Sequence, residues 1–545
     1  MIRKSTALAI LMVLSATLLP GAPPAPGQSG TTWQKIFNVR DFGASGKKGE
    51  KAQAAIQKAV DACAAAGGGV VFLPPGAYTS GTIHLRSHVR FHIEAGAVLY
   101  SLHGDKGAFD KDALLYGEGL EGVTIEGRGT VDGEAAYDWR PAGDHRDDFI
   151  RPNRVEMEKL GLPLTRSFPR DGQYGKLVFL VRCRDVRITG LSFQSSPSWT
   201  MNLVACERIV LEGLDIRSSL KAGVWADGID PDGCQDLRIS NCTIETGDDA
   251  LVFYSTDWLG PARPCENITV TNCRLSSSSS AIKFCDGNIG GVRNVTIDNC
   301  VITSSNRGIA FMTFEGGPVE NVVLSNLTID CVRNDWFWWG DGEPFHFNVR
   351  RKSEVHTSEP REKDRPAGLV RNIKIQNVIA RGYGMSVCSG HPEAWLDGVS
   401  FENVKLTIAH DPRFRYDKAV SAIGFEYARN LRLRDFEVSW EKPLYEKWRS
   451  AVVFENVRDL VLDGLACRQA GDGAAAPAVL LRRVDGALIR GCRPAEGTGA
   501  FLEFSGPGVK NVRLDGNDAR RAKMLFRLTD GASEKEIETG QGGTR

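Results

Sequence analysis

A beat of two apolar residues flanking one other position, clear at Val186-Arg187-Ile188, returns along most of the chain. It restarts at Ile209, Leu237, Ile268, Val295 and Val322, then at Ile373, Val399, Leu431, Leu460, Ala487 and Val512, with an earlier copy at Val123. Most steps are 23 to 32 residues, and the two longer ones, 123 to 186 and 322 to 373, each carry an insertion. Four residues after every restart stands Gly, Asn or Asp. The glycines are Gly127, Gly190, Gly213, Gly464, Gly491 and Gly516; the others are Asn241, Asn272, Asn299, Asn326, Asn377, Asn403 and Asp435. These residue types tolerate a left-handed backbone best, so the chain is expected to bend sharply there. Apolar residues mostly resume at once, as at Leu191, Cys242 and Val378. Strand, left-handed bend and strand, repeated about every 27 residues, is one coil of an all-β fold, a parallel β-helix.

The repeat reassigns two features. Thirteen cysteines invite a disulfide framework, but Cys242, Cys273 and Cys300 each follow a bend asparagine. They are expected to form an inward stack of small apolar side chains instead. The Asn-x-Thr sequences at Asn241, Asn267, Asn294 and Asn326 arise from the same spacing and are read as structure, not as glycosylation signals.

The open ends of a β-helix are edge-strand hazards. Ile56, Ala59, Val60 and Cys63 follow the i, i+3, i+4, i+7 pattern of one amphipathic helix, which stops at Gly67-Gly68-Gly69 and is read as a cap over the first coil. A single solenoid domain is expected over 36–530, with insertions at about 134–172 and 331–367 and a polar, frayed tail at 531–545. Arg3 and Lys4, the apolar run Ala7 to Leu19 and the small residues that follow give 1–27 the layout of a secretory signal peptide. The mature protein is therefore expected to be secreted or periplasmic. The apolar run, 13 residues, is short for a membrane span, and no other segment is long enough.

Composition supports this picture. The 59 glycines are about 11% of 545 residues, above the usual value of about 7%. Lys and Arg, 67, balance Asp and Glu, 67, so no charge excess points to nucleic acid or to a membrane surface. A monomer is expected.

Chemistry is expected where acidic residues stack, because like charges in adjacent coils raise one another's pKa and cost stability. Asp227, in Trp225-Ala226-Asp227-Gly228-Ile229-Asp230, is followed 21 residues later by Asp248, in Gly247-Asp248-Asp249-Ala250-Leu251. Aligning Gly228-Ile229 on Ala250-Leu251 sets Asp227 under Asp249 with Asp248 beside them. A solvated acidic face and a calcium site are the alternatives, calcium wanting roughly six to eight oxygens. Three carboxylates without a metal-type histidine cluster suit glycosidic hydrolysis: a protonated carboxyl donates to the leaving oxygen and an ionised one activates water.

At this point the sequence resembles glycoside hydrolase family 28, the polygalacturonase family of pectin-degrading enzymes. Phe37-Asn38-Val39-Arg40-Asp41-Phe42-Gly43-Ala44 and the run Gly67 to Leu99 are similar to the family's entry region, and Ser196-Pro197-Ser198-Trp199-Thr200 to its coil before the active site. Asp227-Gly228-Ile229-Asp230-Pro231-Asp232 and Gly247-Asp248-Asp249 resemble its two acidic motifs. The resemblance implies a right-handed helix and inverting hydrolysis of a pectic or related acidic polysaccharide or oligosaccharide, with no cofactor and no metal. By position, Asp248 is then the general acid, and Asp227 with Asp249 holds the attacking water.

Three departures bear on the substrate. The family's Asn-Thr-Asp reads Trp225-Ala226-Asp227, its Gly-His-Gly falls on Ser279-Ser280-Ala281, and its Arg-Ile-Lys falls on Ala310-Phe311-Met312. Ser280 thus stands at the histidine position among the substrate-binding candidates. Lys283, three beyond it, and Arg307, in the column of Asp227, Asp249 and Ser280, are expected to take over contact with a substrate carboxylate. The plain alternatives are a solvated lysine and an Arg307–Asp249 salt bridge. These departures suit a rhamnogalacturonan-type or other branched glycan at least as well as homogalacturonan. Trp336-Phe337-Trp338-Trp339 packs four aromatics together; Trp338 and Trp339 are read as a cleft wall for sugars, with the insertion's own core as the alternative. A wall that closes one end favours exo action. Arg350-Arg351-Lys352 is expected on a solvated loop. Two rival functions remain at this level: a β-eliminating polysaccharide lyase drawing on Lys283 or Arg307, and a non-catalytic carbohydrate-binding β-helix.

Overall fold

The structure, a computed structural model, describes residues 35–102, 105–135, 139–141, 167–169, 175–221, 223, 225–334, 340–355, 364–410, 412, 419–471 and 475–540. The leader at 1–27, most of the 134–172 insertion, and Trp338 and Trp339 lie outside the described residues.

The strands wind into one continuous 39-stranded sheet, the right-handed parallel β-helix that the repeat predicts. The register follows the apolar beat. Val186 pairs with Ile209, then in turn come Leu237, Ile268, Val295, Val322, Ile373 and Val399. All thirteen bend residues have positive φ, and the seven that are Asn or Asp fall between 47° and 57°. The bend asparagines also bond to one another from coil to coil, Asn299 Nδ2 donating to Asn272 Oδ1 at 2.7 Å and Asn403 Nδ2 to Asn377 Oδ1 at 3.0 Å.

The first coils and the last lie beyond the reach of the sequence beat. Gly69 pairs with Val89 ahead of Val123, and Ile537 pairs with Val512 after it. None of Gly69, Val89 and Ile537 is followed four residues later by Gly, Asn or Asp, so they lack the bend signature. The tail expected to fray from 531 instead forms a 3-10 turn, Glu534–Glu536, and a strand, Ile537–Thr539, that closes the last coil. The polar tail is still tied down by backbone hydrogen bonds because Val512 and Leu514 offer a free strand edge.

Helix α1, Gln53–Ala65, covers the N-terminal end and buries Ile56, Ala59, Val60 and Cys63 completely. Twelve cysteines are free and buried among the described side chains. Cys242, Cys273 and Cys300 occupy one inward column, as expected.

Six strands from successive coils carry the site: β1 (Met201–Val204), β2 (Ile229–Asp232), β3 (Leu251–Ser255), β4 (Ser280–Asn288), β5 (Arg307–Thr313) and β6 (Glu343–Val349). Each pairs with the next. Strand β6 lies inside the segment read as an insertion, so that long step contains a regular rung between two loops. Inside, Phe253, Phe284, Phe311 and Phe347 stack with centroids 5.3, 4.4 and 4.3 Å apart. Such ring pairs add roughly 0.5–1.5 kcal/mol each beyond their burial. They lock the register of β3 to β6, and strand alternation then sends their neighbours Val252, Lys283, Ala310 and His346 to the outer face.

Candidate active site

The pairing of Ile229 with Leu251 puts Asp227 beside Asp249, as the alignment of the two motifs predicts. One oxygen from each of Asp227, Asp248 and Asp249 lies within 4.8 Å of the others, and all three residues are buried. Their backbone is fixed first. Thr200 N–H donates to the Asp227 carbonyl at 2.9 Å, and the Thr246 and Ser277 hydroxyls both donate to the Asp248 carbonyl at 2.7 Å. The Asp249 N–H lies between two carboxylates, 2.9 Å from Asp227 Oδ1 and 3.0 Å from Asp248 Oδ1. Asp248 Oδ2 accepts from the Trp225 N–H at 3.2 Å.

Asp249 has a different shell. Its Oδ1 accepts from the Ser280 N–H at 2.9 Å, and its Oδ2 from Lys283 Nζ at 2.9 Å. Burial pushes the Asp227 carboxyl well up from the ordinary aspartate value, and the charges of Asp248, Asp230 and Asp249 add to it against a lowering by Lys283. Asp230 is pushed up as well, by burial first; neither of its carboxylate oxygens has a hydrogen-bond partner among the described residues. Close carboxylates raise one another's proton affinity, and Lys283 works against that rise at both Asp227 and Asp230.

The structure sorts the other expected residues. Lys283 reaches the trio, but as a partner of Asp249 and not as a solvated lysine. Ser280 is fully buried and meets Asp249 through its backbone N–H; its hydroxyl has no hydrogen-bond partner among the described residues. Arg307 sits in the expected column, paired with Ser280 across the coils. Yet its Nε donates to Glu343 Oε1 at 2.8 Å, so the Arg307–Asp249 bridge weighed from sequence is replaced by a bridge toward the next coil. Arg351 is also committed, to Asp364 and Glu393, and Lys352 to Glu315; the basic run is ion-paired and not simply solvated.

Glu343 is the residue that sequence reasoning missed. Burial alone raises a carboxyl, but the Arg307 charge and the His346 ring outweigh it and hold Glu343 at about 2. His346 Nδ1 lies 3.1 Å from Glu343 Oε1, and burial with the Arg307 charge pushes the imidazole down. The missed signal was the position of Glu343 just ahead of an apolar alternation, Phe345-x-Phe347-x-Val349. Outside the column stand three further aromatics. Trp258 stacks on Trp199 at 5.5 Å and 10°, with Tyr254 alongside at 6.2 Å.

Comparisons with known proteins agree with this geometry. Residues 171–335 match the family model for glycosyl hydrolases family 28, and residues 36–153 match one described as rhamnogalacturonase A/epimerase, pectate lyase-like. The first stretch contains Asp227, Asp248 and Asp249, and bears out the resemblance read from the acidic motifs. The chain is 26% identical over 236 residues to a probable polygalacturonase from Vitis vinifera, covering 39% of this chain and 43% of that protein. It is 26% identical over 243 residues to an exopolygalacturonase from Platanus acerifolia, covering 44% and 56%. It thus spans about half the length of the curated relatives it matches. The fold is shared with a hyperthermoactive exopolygalacturonase from Thermotoga maritima, at a TM-score of 0.56 and 21% identity over 74% of this chain and 92% of that one.

Proposed function

We propose that this chain, a divergent member of glycoside hydrolase family 28, hydrolyses glycosidic bonds in a pectic or related acidic polysaccharide. One observation carries the reading: three buried carboxylates meet within 4.8 Å, one pushed toward its protonated form and one paired with a lysine. Acid–base hydrolysis needs that division, a carboxyl that still holds a proton and a carboxylate that does not. Asp248 delivers the proton to the leaving oxygen by its position in the family motif, beside the raised carboxyl of Asp227. Asp249, held by Lys283 and the Ser280 N–H, orients water together with Asp227. No cofactor enters this scheme.

The lyase alternative is disfavoured by the same geometry. Lys283 is engaged with Asp249 and Arg307 with Glu343, so neither is a ready base for proton abstraction. A purely binding β-helix has no use for buried carboxylates that repel one another, which cost stability without giving a contact. Exo action is part of the proposal, supported by the relatives named as exopolygalacturonases. Export is supported by the layout of residues 1–27; among the described residues no helix is long and apolar enough to cross a membrane.

The test incubates the purified protein and Asp248→Asn with homogalacturonan, rhamnogalacturonan and their oligosaccharides. New reducing ends without unsaturated-uronate absorbance, absent in the variant, are expected. Unsaturated product would move the mechanism to elimination. Proton NMR of the first product adds the stereochemistry. Inverting enzymes usually separate their carboxyls by about 6.5–9.5 Å and retaining ones by about 5–5.5 Å. Inversion is expected from the family motif despite the close spacing here, and retention would instead make one of the three aspartates a nucleophile.

A further inference from the structure

We propose that this cleft recognises its glycan by stacking on two exposed tryptophans, Trp225 and Trp258, and that a neutral sugar, not a uronate, occupies a position beside the scissile bond. The inference rests on the hydrolase reading and deepens it.

The first support is the state of the cations. Lys283 is bound to Asp249 with side-chain exposures of 13% and 3%, and Arg307 to Glu343 with 11% and 5%. Arg307 Nη1 also contacts Met312 Sδ at 3.7 Å. Against these two cations the surface around the trio carries Asp227, Asp230, Asp248, Asp249 and Glu343, all buried; the cations near Trp199 and Trp258, namely Lys176, Arg182 and Arg365, are paired as well, with Asp112, Glu118 and Asp257. A sugar carboxylate placed there meets excess negative charge, and drawing either cation away leaves a buried carboxylate uncompensated.

The second support is what the cleft offers in place of charge. Trp225 stands two residues before Asp227, is 48% exposed, and holds a left-handed backbone at φ 66°. Bulky residues rarely adopt that conformation, and here it aims the Trp225 N–H at Asp248 Oδ2. The Trp225 backbone is thereby fixed next to the carboxylate that delivers the proton, with the indole left half exposed. Trp258 follows the far end of β3 and is 61% exposed, yet it is not loose. It stacks on Trp199, and its loop is tied by Arg182 Nη1 to the Leu259 carbonyl at 3.1 Å and by Arg365 to Asp257 at 3.0 Å. Two indoles held rigidly in solvent at either end of the catalytic strands suit the apolar face of a sugar ring.

The test measures oligosaccharide binding calorimetrically to Asp248→Asn, which separates recognition from turnover. The probes are galacturonic acid oligomers and oligomers alternating galacturonic acid with a neutral sugar, at 0.05 and 0.5 M NaCl. The alternating oligomer is expected to bind at least about tenfold more tightly, with a Kd nearly indifferent to salt. Trp225→Ala and Trp258→Ala, each added to Asp248→Asn, are expected to weaken it on the order of tenfold, and Trp225→Phe and Trp258→Phe to restore most of the loss. Phe keeps the backbone N–H and a stacking face, so its rescue separates stacking from disturbance of Asp248. Equal or tighter binding of the galacturonic acid oligomer, weakening with salt and unmoved by the tryptophan changes, would overturn the proposal. So would an absence of binding to either oligomer. Neither result touches the hydrolase reading, which falls if no glycan yields reducing ends or if the product is unsaturated.

Discussion

Lys283 Nζ lies 2.9 Å from Asp249 Oδ2, one coil removed, and joins a cation to the carboxylate that also accepts the Ser280 N–H. The same lysine lowers the proton affinity of Asp227 from a distance. Replacing it by Met removes both effects. Asp227 then holds its proton more tightly, the apparent pKa values of the cluster rise, and the pH–activity profile moves upward by on the order of one unit. The maximal rate is expected to fall on the order of a hundredfold. Lys283→Arg keeps the charge and is expected to restore the profile's position more fully than its height.

The raised carboxyls make a prediction about stability with a definite sign. Asp227 and Asp230 bind a proton more tightly in the folded protein than in the unfolded chain. Their ionisation therefore costs stability as pH rises from the unfolded aspartate value, about 3.9, through the raised folded one. Asp230→Asn removes that cost. Its melting temperature is expected to exceed the parent's by a few degrees at pH 8, with the gain vanishing below about pH 4. A gain of equal size at both pH values would show that packing, not ionisation, is responsible.

Much of this site was legible because the fold has a ruler in its sequence. Bends at Gly213, Asn241 and Asn272 fix where each coil turns, so Asp227, Asp249, Ser280 and Arg307 fall into one column by counting. The partners of those residues were not legible. Glu343 stands 36 positions after Arg307 across a loop of irregular length, and no periodicity carries across it. Ser280 stood among the substrate-binding candidates, but strand pairing buries it and leaves its amide to act on Asp249. Trp258 belongs to a loop placed by Arg182 and Arg365, ion and hydrogen-bond partners 76 and 107 positions away. Local periodicity determines register; it says nothing about which long side chains meet across coils.

The Arg307–Glu343 pair gives a thermodynamic test of its own. Both side chains are nearly inaccessible, and His346 is packed against the carboxylate. Breaking one member of such a pair strands a charge and typically costs about 3–5 kcal/mol, whereas an apolar replacement of both is often neutral or stabilising. Urea unfolding is expected to show Glu343→Gln and Arg307→Met each strongly destabilised, with Arg307→Met/Glu343→Leu recovering most of the loss. A double variant as unstable as the sum of the singles would mean that each side chain acts separately, and the pairing argument would fail.

The asparagine bends separate backbone conformation from side-chain bonding. Asn299 has φ 53° and donates through Nδ2 to Asn272 Oδ1 at 2.7 Å, on an exposed edge of the solenoid. Asn299→Ala loses both the residue type that tolerates this conformation and the ladder bond. Left-handed backbone costs an ordinary residue about 1–2 kcal/mol, and an exposed hydrogen bond is worth about 0.5–1.5 kcal/mol. Asn299→Gly loses the bond, and the greater freedom of glycine in the unfolded chain costs it somewhat more, which narrows its advantage over Ala. The Ala variant is therefore expected to be less stable than the Gly variant by about 1 kcal/mol in urea unfolding. Because each coil touches only its neighbours, the loss should be confined to hydrogen-exchange protection of the coils on either side of Asn299. If Ala and Gly were equally destabilising, the ladder bond and not the left-handed bend would hold the register.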